Sequence, residues 1–186
     1  MEQPAAHSVY SIGHSNRICS EFVAQLRAVE VACVIDVRAY PGSKRHPQFT
    51  RLALETALRS AGIRYLWEGE ALGGMRAAQA ASPHAALRDP TLRGFADHMS
   101  SAAFKDGIAR LMALAQSQNI AFMCAERDPL HCHRSFIADA LLLRGMRVCH
   151  LFDEGDVRNH ALRPEARAVN ASEIVYDGGV QLGLTL

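Results

Sequence analysis

The chain has 186 residues, of which 49% are apolar and 21% are charged, and its formal net charge is +1. This length fits one domain with a sizeable core, and the apolar content excludes a mainly disordered chain. The near-neutral charge argues against a broadly basic nucleic-acid-binding or membrane-binding protein, and no apolar run is long enough to cross a bilayer. Only Lys44 and Lys105 are lysines, so arginine dominates the 20 basic residues. GC-rich coding would produce this excess, and so would a requirement for planar, bidentate anion binding.

The first ten residues lack the basic and apolar segments of a secretion signal, so we expect a reducing, cytoplasmic location. The cysteines agree with that expectation, because their number is odd and their spacing irregular: Cys19, Cys33, Cys124, Cys132 and Cys149. Cys33 and Cys149 lie within apolar runs, and we expect them to be buried core residues.

Short apolar runs alternate with helical periodicity along most of the chain. The predicted strands are Ser8–Ile12, Ala32–Val37, Ile63–Trp67, Ile120–Met123 and Met146–Leu151. The predicted helices follow the caps Ser20 and Thr50, run from Ser101 to Asn119, and span Arg134–Arg144. Residues 68–93 are predicted to form a long, partly helical connection. This alternation predicts an α/β fold, a three-layer α/β/α sandwich around a mainly parallel, roughly five-stranded, Rossmann-like sheet.

The regular alternation stops after residue 152. We therefore predict a single α/β domain over residues 1–152 and an irregular C-terminal extension over residues 153–186. The extension is expected to pack on the same domain or to form an oligomer contact. Its turn residues Asp177 and Gly178 predict a small hairpin over residues 175–182.

Reactive and charged side chains are concentrated where the predicted strands end. Open parallel sheets bind ligands outside the carboxyl ends of their strands. In chain order, the candidates at this edge are His14, Arg17, Arg38, Arg45, Cys124, Glu126, His131, Cys132, His133, Arg134 and His150. We therefore expect the functional site at the carboxyl edge of the sheet.

Five short motifs lie in or beside these segments. They are SIGHSNR (Ser11–Arg17), DVR (Asp36–Arg38) with P-x-S-x-R (Pro41–Arg45), LGG (Leu72–Gly74), CAERDPLHCHR (Cys124–Arg134) and L-x-x-x-G-x-x-V-x-H (Leu141–His150). Together they resemble the domain of unknown function 488 family over about residues 8–152, and the combination is more specific than any single motif. The resemblance implies a three-layer α/β domain, but it brings no established reaction, substrate or cofactor.

The leading hypothesis is an enzyme, a hydrolase or transferase, that acts on a small anionic substrate carrying phosphate, such as a nucleotide. The predicted anion-binding residues are Arg17, Arg38, Arg45 and Arg134. Arg134 lies in the first turn of a predicted helix, where free N–H groups and the helix dipole favour an anion. The structural alternative is that Arg38 or Arg134 pairs with Asp36 or Glu126 and only braces the loops.

The predicted catalytic residues of this hypothetical enzyme are His14, Cys124, Glu126 and His133. The histidines and the glutamate are side chains whose pKa the protein can set near neutrality for proton transfer. Cys124 is the candidate nucleophile, because it ends a strand and precedes a loop that returns to an arginine-bearing helix.

A metal site is the first alternative, with zinc or iron as the ion and Cys124, His131, Cys132 and His133 as its ligands. His14 or His150 would complete the ligand set. Two features argue against this alternative: there is no C-x-x-C pair, and the adjacent Cys132 and His133 look poorly placed to bind one ion.

Two further alternatives remain. The loop after Cys124 is similar to those of rhodanese-like sulfurtransferases and cysteine phosphatases, and IDVR (Ile35–Arg38) looks like a rhodanese start. However, ten positions separate Cys124 from Arg134, which is longer than those loops. A non-catalytic nucleic-acid-binding module is not favoured, because the net charge is small and the chain has one tryptophan for base stacking.

Overall fold

Strands and helices alternate through residue 151 of the computed structural model, which describes residues 7–153 and 155–179. The strands are Val9–Gly13 (β1), Cys33–Asp36 (β2), Arg64–Trp67 (β3), Ile120–Cys124 (β4), Val148–Leu151 (β5), Val157–Asn159 (β6), Ala166–Asn170 (β7) and Glu173–Tyr176 (β8). The α-helices are Cys19–Ala28 (α1), Arg51–Ser60 (α2), Gly69–Leu72 (α3), Pro90–His98 (α4), Ala102–Ala115 (α5) and Arg134–Leu143 (α6). Short 3-10 turns cover Pro47–Phe49 and Pro129–His131.

Six strands form the main sheet, in the order β3-β2-β4-β1-β5-β6. The first five strands of this order are parallel to one another, whereas β6 is antiparallel to β5. The predicted α/β fold with a mainly parallel sheet is therefore confirmed. The sixth strand comes from the segment expected to be irregular. It is three residues long and exposed, which is typical of a sheet edge.

Helices cover both faces of the sheet, because β2 and β4 are buried throughout and alternate residues point to opposite sides. Phe22 of α1 and Leu54 of α2 pack on one face. Phe104 of α5 and Phe136 of α6 pack on the other face, together with Phe95 of α4. The two apolar clusters and the sheet between them form the predicted three layers.

Side chains at the ends of the helices explain several boundaries. The Ser101 hydroxyl accepts a main-chain hydrogen bond at the start of α5, and the Asp89 carboxylate does the same for α4, where Pro90 occupies the first position. The predicted cap Ser20 is wrong, since α1 begins at Cys19 and Ser20 lies inside it. In the part of the chain that the structure describes, no helix has the length and apolar character needed to cross a membrane.

The C-terminal segment contains a second, two-stranded sheet formed by β7 and β8. The chain reverses direction between Asn170 and Glu173, ahead of the turn predicted at Asp177 and Gly178. Those two residues follow β8, and residues 180–182 of the predicted hairpin lie outside the described residues.

Strand β8 packs on the helical layer formed by α4, α5 and α6. Tyr176 is 0% exposed and its ring packs on Phe136, with the ring centroids 4.7 Å apart. The Tyr176 hydroxyl donates a 2.9 Å hydrogen bond to the buried Asp139 carboxylate of α6. The hairpin therefore shares the hydrophobic core of the main sheet.

Replacing Tyr176 should measure how strongly the hairpin supports the core. Tyr176→Ala removes a buried ring and leaves one Asp139 oxygen without this donor, so we expect the free energy of unfolding to fall by about 3–5 kcal/mol. Val169→Ala is the control, because Val169 lies in β7 of the same hairpin but is 50% exposed. Urea unfolding followed by circular dichroism checks this, and equal midpoints for the two variants would contradict it.

Candidate functional site

The carboxyl ends of β1 and β4 lie side by side, at the point where the chain leaves the sheet toward opposite faces. The His14 N–H donates to the Cys124 carbonyl at 2.9 Å, and the Ser15 N–H donates to the Ala125 carbonyl at 2.8 Å. The chain then enters α1 on one face after β1, and α6 on the other face after β4. This divergence opens a crevice at the edge where ligands bind in such sheets.

The floor of the crevice is a group of two thiols and one imidazole, which we name the Cys/His cluster: Cys124, Cys132 and His133. The His133 Nδ1 atom is 3.9 Å from the Cys124 Sγ and 3.7 Å from the Cys132 Sγ. All three ligating atoms lie within 4.8 Å of one another, and all three residues are buried. The His133 Nε2–H donates to the Val37 carbonyl at 2.9 Å, so Nδ1 presents its lone pair to the sulfurs.

The loop sequence explains how Cys132 returns to Cys124. The Asp128 carboxylate accepts a main-chain hydrogen bond, Pro129 begins a 3-10 turn, and the Cys132 N–H donates to the Pro129 carbonyl at 3.1 Å. The backbone is extended at Cys132, with φ −136° and ψ 148°, and helical at His133, with φ −60° and ψ −14°. This change of conformation lets two adjacent side chains face the same point. The expectation that adjacent Cys132 and His133 are poorly placed to bind one ion is therefore wrong.

The two thiols differ strongly in acidity. The hydrogen bond that Cys124 makes to Cys132, together with burial, holds the pKa of the Cys124 thiol well above its ordinary value. Burial alone would also raise the pKa of Cys132. The hydrogen bond from Cys124 and the positive charge of Arg134 outweigh burial, so the pKa of Cys132 is well below its ordinary value. Cys132 is therefore the more acidic of the two thiols.

Arg134 braces the loop from beneath. Its side chain is 1% exposed, and Nη2 donates to the Glu126 carbonyl at 2.5 Å and to the Arg127 carbonyl at 3.3 Å. Within the described residues, Nε has no hydrogen-bond partner. This is close to the structural alternative, except that Glu126 offers its main-chain carbonyl instead of its carboxylate.

Arg38 is held by a buried ion pair at the end of β2. Its Nε is 2.9 Å from Asp36 Oδ1, its Nη2 is 2.6 Å from Asp36 Oδ2, and its Nη1 donates to the Phe49 carbonyl at 2.7 Å. Tyr65 adds a hydroxyl hydrogen bond of 2.8 Å to the same carboxylate. With the 3.4 Å contact of Nη1 to His14 Nε2, four of the five guanidinium N–H groups are thus engaged inside the protein.

His14 lies beside Arg38 and is kept neutral. Its ring stacks on Phe49 with the centroids 4.3 Å apart, and its Nδ1 is 2.9 Å from the Ser15 carbonyl oxygen. Burial, opposed by this hydrogen bond and assisted by the charge of Arg38, lowers the pKa of His14 from 6.5 to about 4. A donor at Nδ1 leaves Nε2 as an acceptor, 3.4 Å from Arg38 Nη1.

Two adjoining cavities open above the Cys/His cluster. The inner cavity has a volume of about 350 Å³ and is bounded by the cluster and by Tyr40, Met75 and Phe95. The outer cavity has a volume of about 810 Å³, and its charged or titratable lining residues are His14, Arg38, Lys44, Arg45, His46, Glu126, Arg127, Asp128 and His131. The two cavities share five residues in their walls: Arg38, Tyr40, Ala125, Glu126 and His131.

The remaining predicted anion ligands are separated. Arg17 points away from both cavities: it donates to the Gly13 carbonyl, makes a 2.7 Å ion pair with Asp153, and lines a different cavity of about 510 Å³ beside α1. Arg45 is exposed on the wall of the outer cavity, next to Lys44, which the prediction did not include. Lys44 is a residue that position alone could have identified, since it lies between the predicted strand end and Arg45.

The other predicted ligands and acids also differ in placement. The Glu126 side chain is exposed at the junction of the two cavities. His131 is exposed and lies 3.3 Å from Asp128, outside the Cys/His cluster. His150 is buried on β5, where its Nε2 is 2.9 Å from His160 Nδ1, and it too lies outside the cluster. Burial, reinforced by the charges of His160 and Arg134, lowers the pKa of His150 to about 3.

Gly74, the last residue of the LGG motif, has a packing role. A Cβ atom placed there would lie 2.8 Å from His133 Nδ1, which is closer than ordinary van der Waals contact. The absence of a side chain at Gly74 therefore keeps the space beside this nitrogen open.

The model of a family described as domain of unknown function DUF488 matches residues 19–141, which is well over half of the chain. The chain belongs to the DUF488 family. The matched range contains the DVR, LGG and CAERDPLHCHR motifs, whereas SIGHSNR lies before it. No curated protein and no solved structure matches the chain in the same comparisons. The family assignment therefore agrees with the resemblance seen in the sequence.

Stability of this DUF488 protein should depend on pH through His150. Its Nε2–H donates to His160 and its Nδ1 has no partner among the described residues, so protonation would bury an unpaired N–H. Because the folded pKa is about 3 and the unfolded value is 6.5, stability is full above pH 6.5 and is lost as pH falls toward 3.

We expect the protonation linked to His150 to lower the free energy of unfolding by about 2 kcal/mol between pH 7 and pH 5. His150→Gln should abolish that part of the slope, whereas His131→Gln, which changes a side chain that is 81% exposed, should keep the wild-type slope. Urea unfolding at several pH values measures this. Identical slopes for the wild type and His150→Gln would show that the expectation is wrong.

Proposed function

We propose that this DUF488 protein is an enzyme, a hydrolase or transferase, that acts on a small phosphate-bearing anion such as a nucleotide. The observation that carries the proposal is the junction of the two cavities. A basic outer cavity opens onto an inner cavity whose floor is the Cys/His cluster. An anion held in the outer cavity would present its reacting atom to the cluster.

Lys44 and Arg45 are the best candidates to bind the anion. Both are exposed on the wall of the outer cavity, and the described residues offer neither of them an ion-pair partner. Arg127 lies on the same wall but contacts Asp153. Arg38 contributes positive charge from the shared wall, although Asp36 compensates most of it.

Proton transfer has two candidates at the junction. Glu126 is exposed where the cavities meet, so it can reach a bound substrate. His14 is neutral at pH 7 and lines the outer cavity with Nε2 as a hydrogen-bond acceptor. Both side chains therefore lie where they could exchange a proton with a bound substrate.

We place this activity in the cytoplasm. All five cysteines of the chain are free, and four of them are buried. The neighbouring thiols Cys124 and Cys132 stay reduced most readily in a compartment that keeps protein thiols in the reduced form.

A charge-matched pair of double variants tests the anion site. Lys44→Ala/Arg45→Ala removes the two unpaired cations, and the control Lys105→Ala/Arg59→Ala removes one exposed lysine and one exposed arginine elsewhere. We expect the first variant to bind adenosine monophosphate and inorganic phosphate at least about tenfold more weakly, since a charge-assisted hydrogen bond contributes about 1.5 kcal/mol or more. The control should bind like the wild type. Calorimetric titration at low salt measures this, and equal affinities of the two variants would refute the assignment.

Rhodanese-like sulfur transfer is the second candidate, favoured by the position of Cys132 two residues before α6, where the charge of Arg134 helps to lower its pKa. In this reaction the Cys132 thiolate attacks the outer sulfur of thiosulfate, sulfite leaves with the electron pair, and cyanide then takes the sulfur from the persulfide as thiocyanate. Cys132→Ser should abolish thiocyanate formation and Cys149→Ser should preserve it. Absence of thiocyanate with the wild type would eliminate this candidate.

A further inference from the structure

We infer that Cys124, Cys132 and His133 form a site for one zinc ion, whose open coordination position faces the inner cavity. The ion would sit between the three ligating atoms that already lie within 4.8 Å of one another. Its role in turnover rests on the proposed function, whereas metal binding itself does not.

The distances fit a tetrahedral ion. Zinc lies about 2.3 Å from a thiolate sulfur and about 2.0 Å from an imidazole nitrogen, so a tetrahedral site separates sulfur and nitrogen by about 3.6 Å. The observed separations from His133 Nδ1 are 3.7 Å to Cys132 and 3.9 Å to Cys124. Both of these nitrogen–sulfur separations are within a few tenths of an ångström of that value.

The imidazole is already oriented as a metal ligand. A histidine that binds a metal through one ring nitrogen usually donates the other N–H to a carbonyl or carboxylate, which fixes its tautomer. His133 does this through Nε2–H and the Val37 carbonyl, at 2.9 Å. The Nδ1 lone pair is therefore directed at the space between the sulfurs.

The backbone that carries the ligands is fixed by other contacts. Cys124 ends the buried strand β4, and the Cys132 carbonyl accepts a 3.0 Å hydrogen bond from Ser135. His133 is the residue immediately before α6. The site is thus organised by the protein fold, and an ion would not have to fold the loop.

The surroundings leave room for an ion and for a further ligand. Gly74 has no side chain to occupy the space beside His133 Nδ1, where a Cβ would lie at 2.8 Å. The inner cavity of about 350 Å³ provides access from the fourth side. Three protein ligands and one open position are typical of catalytic zinc, whereas structural zinc has four protein ligands.

The donor set selects the metal. Two thiols and an imidazole are soft or intermediate ligands, which disfavours magnesium and calcium, and iron–sulfur clusters require more cysteines than the cluster contains. Cys124 would lose its thiol proton to solvent when the ion binds. A zinc ion at this position supplies a Lewis acid next to the anion-binding cavity.

The test uses the full-length protein without a histidine tag, reduced and stripped of metal by a chelator. We expect it to bind one equivalent of zinc, and cobalt(II) in its place should give thiolate-to-cobalt charge-transfer absorption and the visible bands of tetrahedral cobalt. Cys124→Ser, Cys132→Ser and His133→Gln should each weaken zinc binding by at least about 100-fold, exceeding the loss typical of an outer-shell partner. His131→Gln and Cys149→Ser, which alter the same residue types outside the cluster, should bind like the wild type.

Gly74→Ala provides a variant that keeps every ligand. It should weaken zinc binding through the close approach to His133, while circular dichroism confirms that it folds. The inference would be overturned if the wild type bound less than one equivalent of zinc. It would also be overturned if both cysteine variants bound zinc with wild-type affinity.

Phosphate titrations separate this inference from the proposed function. Lys44→Ala/Arg45→Ala should retain full zinc affinity while losing affinity for phosphate. If the wild type binds phosphate but no zinc, the metal site alone is refuted. If it binds zinc but the two cations do not affect phosphate affinity, the anion site alone is refuted.

Discussion

The arrangement of the site depends on Arg134, a guanidinium that is 1% exposed and whose described hydrogen bonds go to main-chain carbonyls. A buried cation is costly unless a negative charge lies nearby. The charge of Arg134 in turn helps to lower the pKa of the nearby Cys132 thiol. The arginine also draws the Glu126 carbonyl against β1, where a Cβ on Gly13 would collide with it. One side chain thus shapes the loop, favours the acidity of a thiol and requires a glycine in the neighbouring strand.

A second buried pair fixes the other half of the site. Asp36 and Arg38 flank Val37, whose carbonyl orients the His133 imidazole. Buried ion pairs add little net stability, because desolvation offsets most of the attraction, but their geometry is specific. The imidazole is therefore held by the loop after β2 through one nitrogen and faces the sulfurs on the β4 side through the other. The end of β4 and the segment after it supply all three members of the Cys/His cluster, and the end of β2 fixes the orientation of the imidazole.

The sequence predicts the sheet well because its five parallel strands are apolar runs with turns or helices between them. It also predicts the edge that carries the reactive residues, since this follows from parallel topology. It fails where the partner of a side chain is distant in sequence. Arg17 is directed away from the cavities by Asp153, which is 136 positions away. The β7–β8 hairpin was not predicted for a similar reason, because burial of Tyr176 against Asp139, which is 37 positions away, fixes the end of β8.

The position of Cys132 and His133 shows a different limit. Spacing rules treat adjacent residues as diverging, which holds within a regular strand or helix. Here the backbone changes from extended to helical between the two residues, so both side chains meet Cys124. That change arises from the capped turn at Asp128 and Pro129, a local signal that is visible in the sequence. Its consequence for the cluster appears only once β4 and α6 are placed together.

The structure offers a third explanation for the excess of arginine over lysine, besides GC-rich coding and anion binding. Arg38, Arg134 and Arg163 are buried, and each donates to at least one main-chain carbonyl. A planar guanidinium with five N–H groups can bridge such acceptors, whereas a lysine ammonium is more strongly hydrated and costs more to bury. Most of the basic residues singled out at the edge of the sheet are therefore used to brace loops. The unpaired positive charge that remains at the cavities belongs to Lys44 and Arg45, so a nearly neutral chain carries a small cationic site.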